Sequence, residues 1–205
     1  MAMTASYYPD YFSLTDILAS QERLTCKIEQ DLPRLGFLDE SSDHTDLKAG
    51  TKLELPLWLA LSLNAKQPPT VTIDIPKMYK EAHREILKAD ACAVELSKWN
   101  LYYYEVGIQL AKCNHTESEK IADILLHTFK ARFRHIMDWA QNPGTDLTIG
   151  NRMPILERNL FLTGRKARMQ LIEWLEKGGG NIKTAEMVVI HKKRKRGGIS
   201  SNSKS

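Results

Sequence analysis

The sequence has no apolar run approaching the length needed to cross a bilayer. Its opening, "MAMTASYYPDYF", lacks a basic region followed by an apolar one, so it does not read as a secretory signal. Cysteine is scarce. Cys26, Cys92 and Cys113 are odd in number and without paired spacing, which argues for reduced thiols and an intracellular protein. Signature motifs of common catalytic classes are missing: no GxGxxG, no phosphate-cradling loop ending in GK[ST], no HExxH and no GxSxG. Cys113 and His115 are close, but two further ligands at zinc spacing are lacking. Glu117 and Glu119 read as carboxylates at a helix start, where the dipole favours them, and not as an acid pair. No enzyme and no cofactor are expected.

Basic charge is also scarce in the body. Of 29 Lys and Arg, six lie between His191 and Ser205, a stretch without acids. Residues 1–190 carry 23 bases against 25 acids, and residues 1–75 carry 6 against 11. The alkaline character comes from the tail, so bulk electrostatic binding of DNA by the folded part is not implied.

What is present divides into two kinds of pattern. "SLTDILAS" (13–20) pairs Ser13 with Asp16 in a weak capping box before a short helix. "RLTCKIEQ" (23–30) alternates Leu24, Cys26 and Ile28 with polar residues, a strand pattern, and "TVTIDI" (70–75) reads as another strand. Between them, "TKLELPLWLALSL" (51–63) has leucine at every second position yet contains Pro56, which cannot donate to a sheet ladder. The spacing predicts a strand over 52–55 and a helix opened by Pro56. The stretch is apolar on nearly every side. It is either an ordinary core element or one wedged between a small sheet and a second domain or partner chain. Trp58 is expected to be buried there, beside Leu55 and Leu59.

From Pro76 the period becomes helical. "PKMYKEAHREILKADA" predicts a helix opening at the proline, and "VELSKWNLYYYEVGIQLAK" a second carrying Leu96, Trp99, Tyr103, Val106 and Leu110. A third is expected after a Thr116–Glu119 capping box, with Ile121, Leu125, Phe129, Phe133, Ile136 and Ala140 as its apolar stripe, stopped by "NPG". A fourth carries Leu156, Leu160, Gly164, Ala167, Leu171 and Trp174 and ends at the glycines 178–180. A last short helix, "TAEMVVIHKK", leads into the tail. The predicted class is α+β: a small β-rich domain over 1–75, a larger all-α bundle over 76–190, and a disordered basic tail over 191–205.

Two charged segments need a reading. In "FKARFRHIMD", Lys130, Arg132, Arg134 and His135 interleave with Phe129, Phe133 and Ile136, as in some single-strand nucleic-acid binders. The phenylalanines fall in the apolar stripe, however, which predicts buried rings and solvated arginines. An interface with an acidic protein partner is the other reading. The run Lys192, Lys193, Arg194, Lys195 and Arg196 reads as a nuclear localisation signal, an electrostatic arm or a solubilising tail.

Taken together, "SLTDILASQERL", "LPRLGFLD", "KLELPLWLA", "IDIPKMY", "FKARFRHIMDWAQN", "LERNLFLTGRKA" and "HKKRKR" resemble the third Psf type of subunit of the eukaryotic GINS complex, over almost the whole chain. The resemblance implies a heterotetramer with three other GINS subunits of Sld and Psf types. It also implies association with the minichromosome maintenance hexamer and the Cdc forty-five protein in the replicative helicase. The protein would be nuclear, with DNA reached mainly through the complex and no membrane contact. It implies no catalytic role, since ATP hydrolysis belongs to the motor. Leu55, Trp58, Leu59, Phe129, Arg132, Phe133, Arg134, Ile136, Leu160 and Phe161 are the candidate core or subunit-interface residues. Phe129, Phe133, Ile136, Leu160 and Phe161 give two helices more apolar surface than a small bundle covers alone. The rival reading is a nuclear helical DNA-binding or chromatin adaptor protein.

Overall fold

Alternation of Leu24, Cys26 and Ile28 with polar residues makes β1 (Arg23–Ile28) a strand with one buried face. It is the centre of a three-stranded antiparallel sheet, flanked by β2 (Lys52–Pro56) and β3 (Val71–Ile73) in the order β2-β1-β3. The register sets Leu24 opposite Leu55, and Cys26 opposite both Leu53 and Ile73, so the apolar side chains of all three strands share a face. This is a computed structural model, and it describes residues 12–39, 45–113 and 115–177. The glycine triplet, the last short helix and the basic tail lie outside the described residues.

The proline in the leucine-rich stretch separates two elements, as its position suggests. Pro56 ends β2 with an extended backbone (φ −62°, ψ 145°) and is the N-cap of α2 (Leu57–Asn64). The N–H of Leu57 still donates to the Glu22 carbonyl at 2.8 Å, so the ladder hands over to the helix without an orphaned donor. α2 lies against the sheet with Leu57 and Ala60 fully buried. The burial expected for Trp58 is not found: its side chain is 50% exposed, while Leu55 and Leu59 are half-buried. Because α2 is apolar all round, periodicity cannot choose its inward face. Trp58 is rotated about 100° from Leu57, away from the sheet.

Before the sheet, α1 (Leu14–Ser20) is capped by the Ser13 hydroxyl, which accepts from the Asp16 N–H at 3.4 Å. After it, Pro76 opens a 3-10 turn (Lys77–Tyr79), and the helix predicted there, α3 (Glu81–Asp90), starts only beyond Lys80. The single helix expected over 94–112 is two, α4 (Leu96–Trp99) and α5 (Tyr103–Ala111). Asn100 breaks it. Its extended backbone stops α4, its Oδ1 accepts the Tyr102 N–H, and its Nδ2 donates to Glu22 Oε2 at 3.1 Å. α6 (Ser118–Gln141) begins two residues after Thr116, and the predicted capping box does not form. Glu117 instead accepts from Arg84 Nη1 at 2.6 Å, which holds its carboxyl below the ordinary value. α7 (Ile155–Lys177) follows a six-residue 3-10 segment (Leu147–Arg152).

A buried cluster joins the sheet, α2, α3, α5 and the first half of α6, from Ala19 to Leu125, and a second surrounds Ile136, Ala140, Met153 and Phe161. Gly107 permits the close approach of α5 and α6: a Cβ there would stand 2.8 Å from both δ-carbons of Leu125. The chain divides into two units, 1–165 and 166–205. Of the second, the described part is the C-terminal stretch of α7.

Candidate assembly surface

α6 has two faces. Inward lie Ile121, Ile124, Leu125, Thr128, Arg132, Ile136 and Ala140. Turned from these runs a second row at four- and three-residue steps: Ala122, Leu126, Phe129, Phe133 and Met137. Leu126 and Phe133 are exposed, Phe133 by 42%, and Phe129 and Met137 are half-buried. The Phe129 ring meets Tyr104 edge-on at 5.9 Å and Phe133 at 5.8 Å, so the row is anchored inside and open outside. Lys130 and Arg134, both exposed, border it. The expected burial of the Phe133 ring is therefore corrected. Thr128, Arg132 and Ile136 take the inward positions in this half of the helix, and Phe133, one residue on from Arg132 and about 100° around the helix, turns outward.

Arg132 also departs from expectation, which had it solvated. It is 7% exposed and is the centre of a polar knot. Its Nε and Nη2 donate to the two carboxylate oxygens of Glu157 at 2.7 and 2.9 Å, and its Nη1 donates to the carbonyls of Ala91 and Val94 at 2.7 and 2.8 Å. The Tyr104 hydroxyl donates to Glu157 Oε1 at 2.7 Å. Burial opposes the charge on Arg132, but the Glu157 carboxylate holds the guanidinium pKa above its ordinary value. The same burial and carboxylate push the Tyr104 hydroxyl far up. This two-pronged pair ties α6 to the first turn of α7, the α3–α4 turn and α5, and so sets where the open row stands. Glu157 and Tyr104 were missed in the sequence. The available signal was Arg132 itself, at four-residue steps from Thr128 and Ile136 on the apolar face.

Of the other predicted residues, Ile136 and Phe161 are buried, Leu160 is half-buried and Arg134 is exposed. Gly164 brings α7 close to α6: a Cβ on it would lie 3.1 Å from that of Ala140. In the second unit, Met169, Leu171, Trp174 and Leu175 are exposed. At the sheet end Phe37 joins Trp58 in exposure. Lys192 to Arg196 lie outside the described residues. Among those described, no His, Cys, Asp and Glu side chains gather as a metal site, and no helix is long and apolar enough to cross a membrane.

Comparison with known proteins gives two family matches. Residues 12–65 match the PSF3 N-terminal domain, and residues 78–176 match the GINS complex protein helical bundle domain. The chain is 40% identical over 188 residues to the DNA replication complex GINS protein PSF3 of Xenopus laevis, covering 91% of this chain and 90% of that protein. It is 37% identical over 211 residues to the Mus musculus protein of the same name, covering 94% and 97%. The Homo sapiens protein is 38% identical over 193 residues, covering 91% and 89%.

Proposed function

The chain belongs to the PSF3 family of GINS subunits, and from that premise we propose that it works in the replicative helicase, where GINS joins the minichromosome maintenance hexamer and the Cdc forty-five protein. It is a structural subunit of a DNA replication complex, not an enzyme, and other GINS subunits are its partners. The observation that carries the helicase reading is the similarity to PSF3 proteins along both the sheet-bearing and the helical parts of one chain.

In this reading the open row of α6, from Leu126 to Met137, faces another GINS subunit. An apolar row of this kind, rimmed by Lys130 and Arg134, fits a partner helix with acidic flanks. The sheet end is the proposed second contact, toward the motor, and the exposure of Trp58 and Phe37 supports this. Residues 1–75 and 76–190 are the proposed domains, and Lys192 to Arg196 the nuclear localisation signal of the tail.

Pull-down from extract with the tagged four-subunit complex tests the proposal. The wild-type complex is expected to retain the hexamer and the Cdc forty-five protein, and one carrying Trp58→Asp to retain less of the hexamer while staying a tetramer. A complex that captures neither contradicts the helicase role. Alanine at Lys192 to Arg196 is expected to lower nuclear accumulation without loss of the tetramer. Unchanged accumulation with weaker DNA association would make the tail an electrostatic arm.

A further inference from the structure

Little of α1 is buried. Among its residues Ala19 alone is buried, and Leu14, Ile17 and Leu18 are exposed. Thr15 and Asp16, four and three residues before Ala19, lie on the same face and are half-buried. α1 packs on α5 and on α2. In the first turn of α5, Glu105 has its Oε2 buried without a hydrogen-bond partner. Among the described residues, the ionisable groups that reach Glu105 are Asp16 from α1 and the hydroxyl of Tyr79 from the 3-10 turn; Glu22, just past α1, reaches Tyr79 in turn. All are acids. The Tyr79 hydroxyl is spent on the Tyr103 carbonyl and is not offered to the carboxylate.

We propose that the α1–α5 contact is a proton-operated clasp, closed when the Glu105 carboxyl is protonated and loosened when it is ionised. A protonated carboxyl can sit beside Asp16 without like-charge repulsion and needs no cation. An ionised one, buried with an empty oxygen and facing a second carboxylate, favours release of the helix into water.

The charge balance sets the window. Burial, and then the Asp16 charge, raise Glu105 from 4.5 to about 7, against a hydrogen bond from its own backbone N–H. Freed from the contact, the group returns toward 4.5. Below that value the carboxyl is protonated either way and the clasp is fully closed. Between about 4.5 and 7 the docked form keeps a proton that the released form gives up, so docking weakens as pH rises. Above about 7 the docked form is charged too, and the loss levels off. Near neutral pH the clasp is at the weak end of its range, where contact with a partner could shift it.

Amide hydrogen exchange in the assembled GINS complex tests this. Protection factors of the α1 amides are expected to fall between pH 5.5 and 7.5, by at most about tenfold per pH unit, the limit for one proton. Glu105→Gln should remove the dependence, keeping α1 protected throughout. Asp16→Asn should shift the wild-type fall to lower pH. Equal pH dependence in the wild type and Glu105→Gln would overturn the proposal. Should Glu105→Gln fail to assemble, an unmoved fall in Asp16→Asn would overturn it.

Discussion

The sheet end and the helical part of this chain are held by different physics. Around β1 the buried residues are apolar: Leu24, Cys26, Ile28, Leu57, Val71 and Ile73. The backbone groups of the strands are paired by the ladder, and the Lys27–Glu29 ion pair of this region stands in solvent. The helical part buries Arg84, Arg132 and Glu157 among its aliphatic side chains. There the helices are registered by point-to-point polar bonds between residues far apart in sequence, Arg132 with Glu157 above all. A truncation in the first region leaves a cavity, which neighbours partly fill. A truncation in the second leaves an uncompensated charge, which no repacking relieves.

The largest expected effect follows from that difference. Arg132→Ala should destabilise by about 3–5 kcal/mol, because Glu157 stays buried without its partner. Chemical denaturation of the assembled complex measures it. Arg132→Met combined with Glu157→Leu should recover most of the loss, since an apolar pair of similar volume leaves no charge behind. Leu57→Ala, in the sheet end, should cost about 2–4 kcal/mol through its cavity. If Leu57→Ala proves the more damaging of the two, the contrast between the regions fails. Gly107→Ala comes next, at about 1–3 kcal/mol, because Leu125 must move from the 2.8 Å approach. Trp58→Ala should be the mildest, about 1 kcal/mol, as half of the side chain is already in water. A loss as large as that of Leu57→Ala would show that Trp58 is held more tightly than its exposure implies.

The same difference decides what could be read in advance. Period two gives β1 and its buried face directly, and Pro56 marks the change from strand to helix because its missing N–H suits a strand end and a helix start. The inward face of α2 was not legible, since a helix apolar on every side carries no directional pattern. On α6, Ile121, Leu125, Ile136 and Ala140 were expected in the stripe and lie inward, whereas Phe129 and Phe133 belong to a neighbouring row. Two polar residues, Thr128 and Arg132, hold the inward positions between Leu125 and Ile136, and a pattern of apolar residues alone passes over them. Arg132 was read as solvated because its partner is 25 residues away on another helix, and local spacing cannot reveal a long-range ion pair. The break at Asn100 was hidden for a related reason: the apolar residues on either side keep helical spacing, while the residue between them bonds to Glu22 across the fold.

The central claim is that the outer row of α6 is an assembly surface, and co-purification with the other three GINS subunits tests it most directly. Wild-type chain co-expressed with them should elute as a four-subunit complex, and expressed alone it should aggregate. Leu126→Asp combined with Phe133→Asp, which leaves the inward residues untouched, should abolish the complex. A doubly substituted chain that assembles as the wild type does would contradict the account.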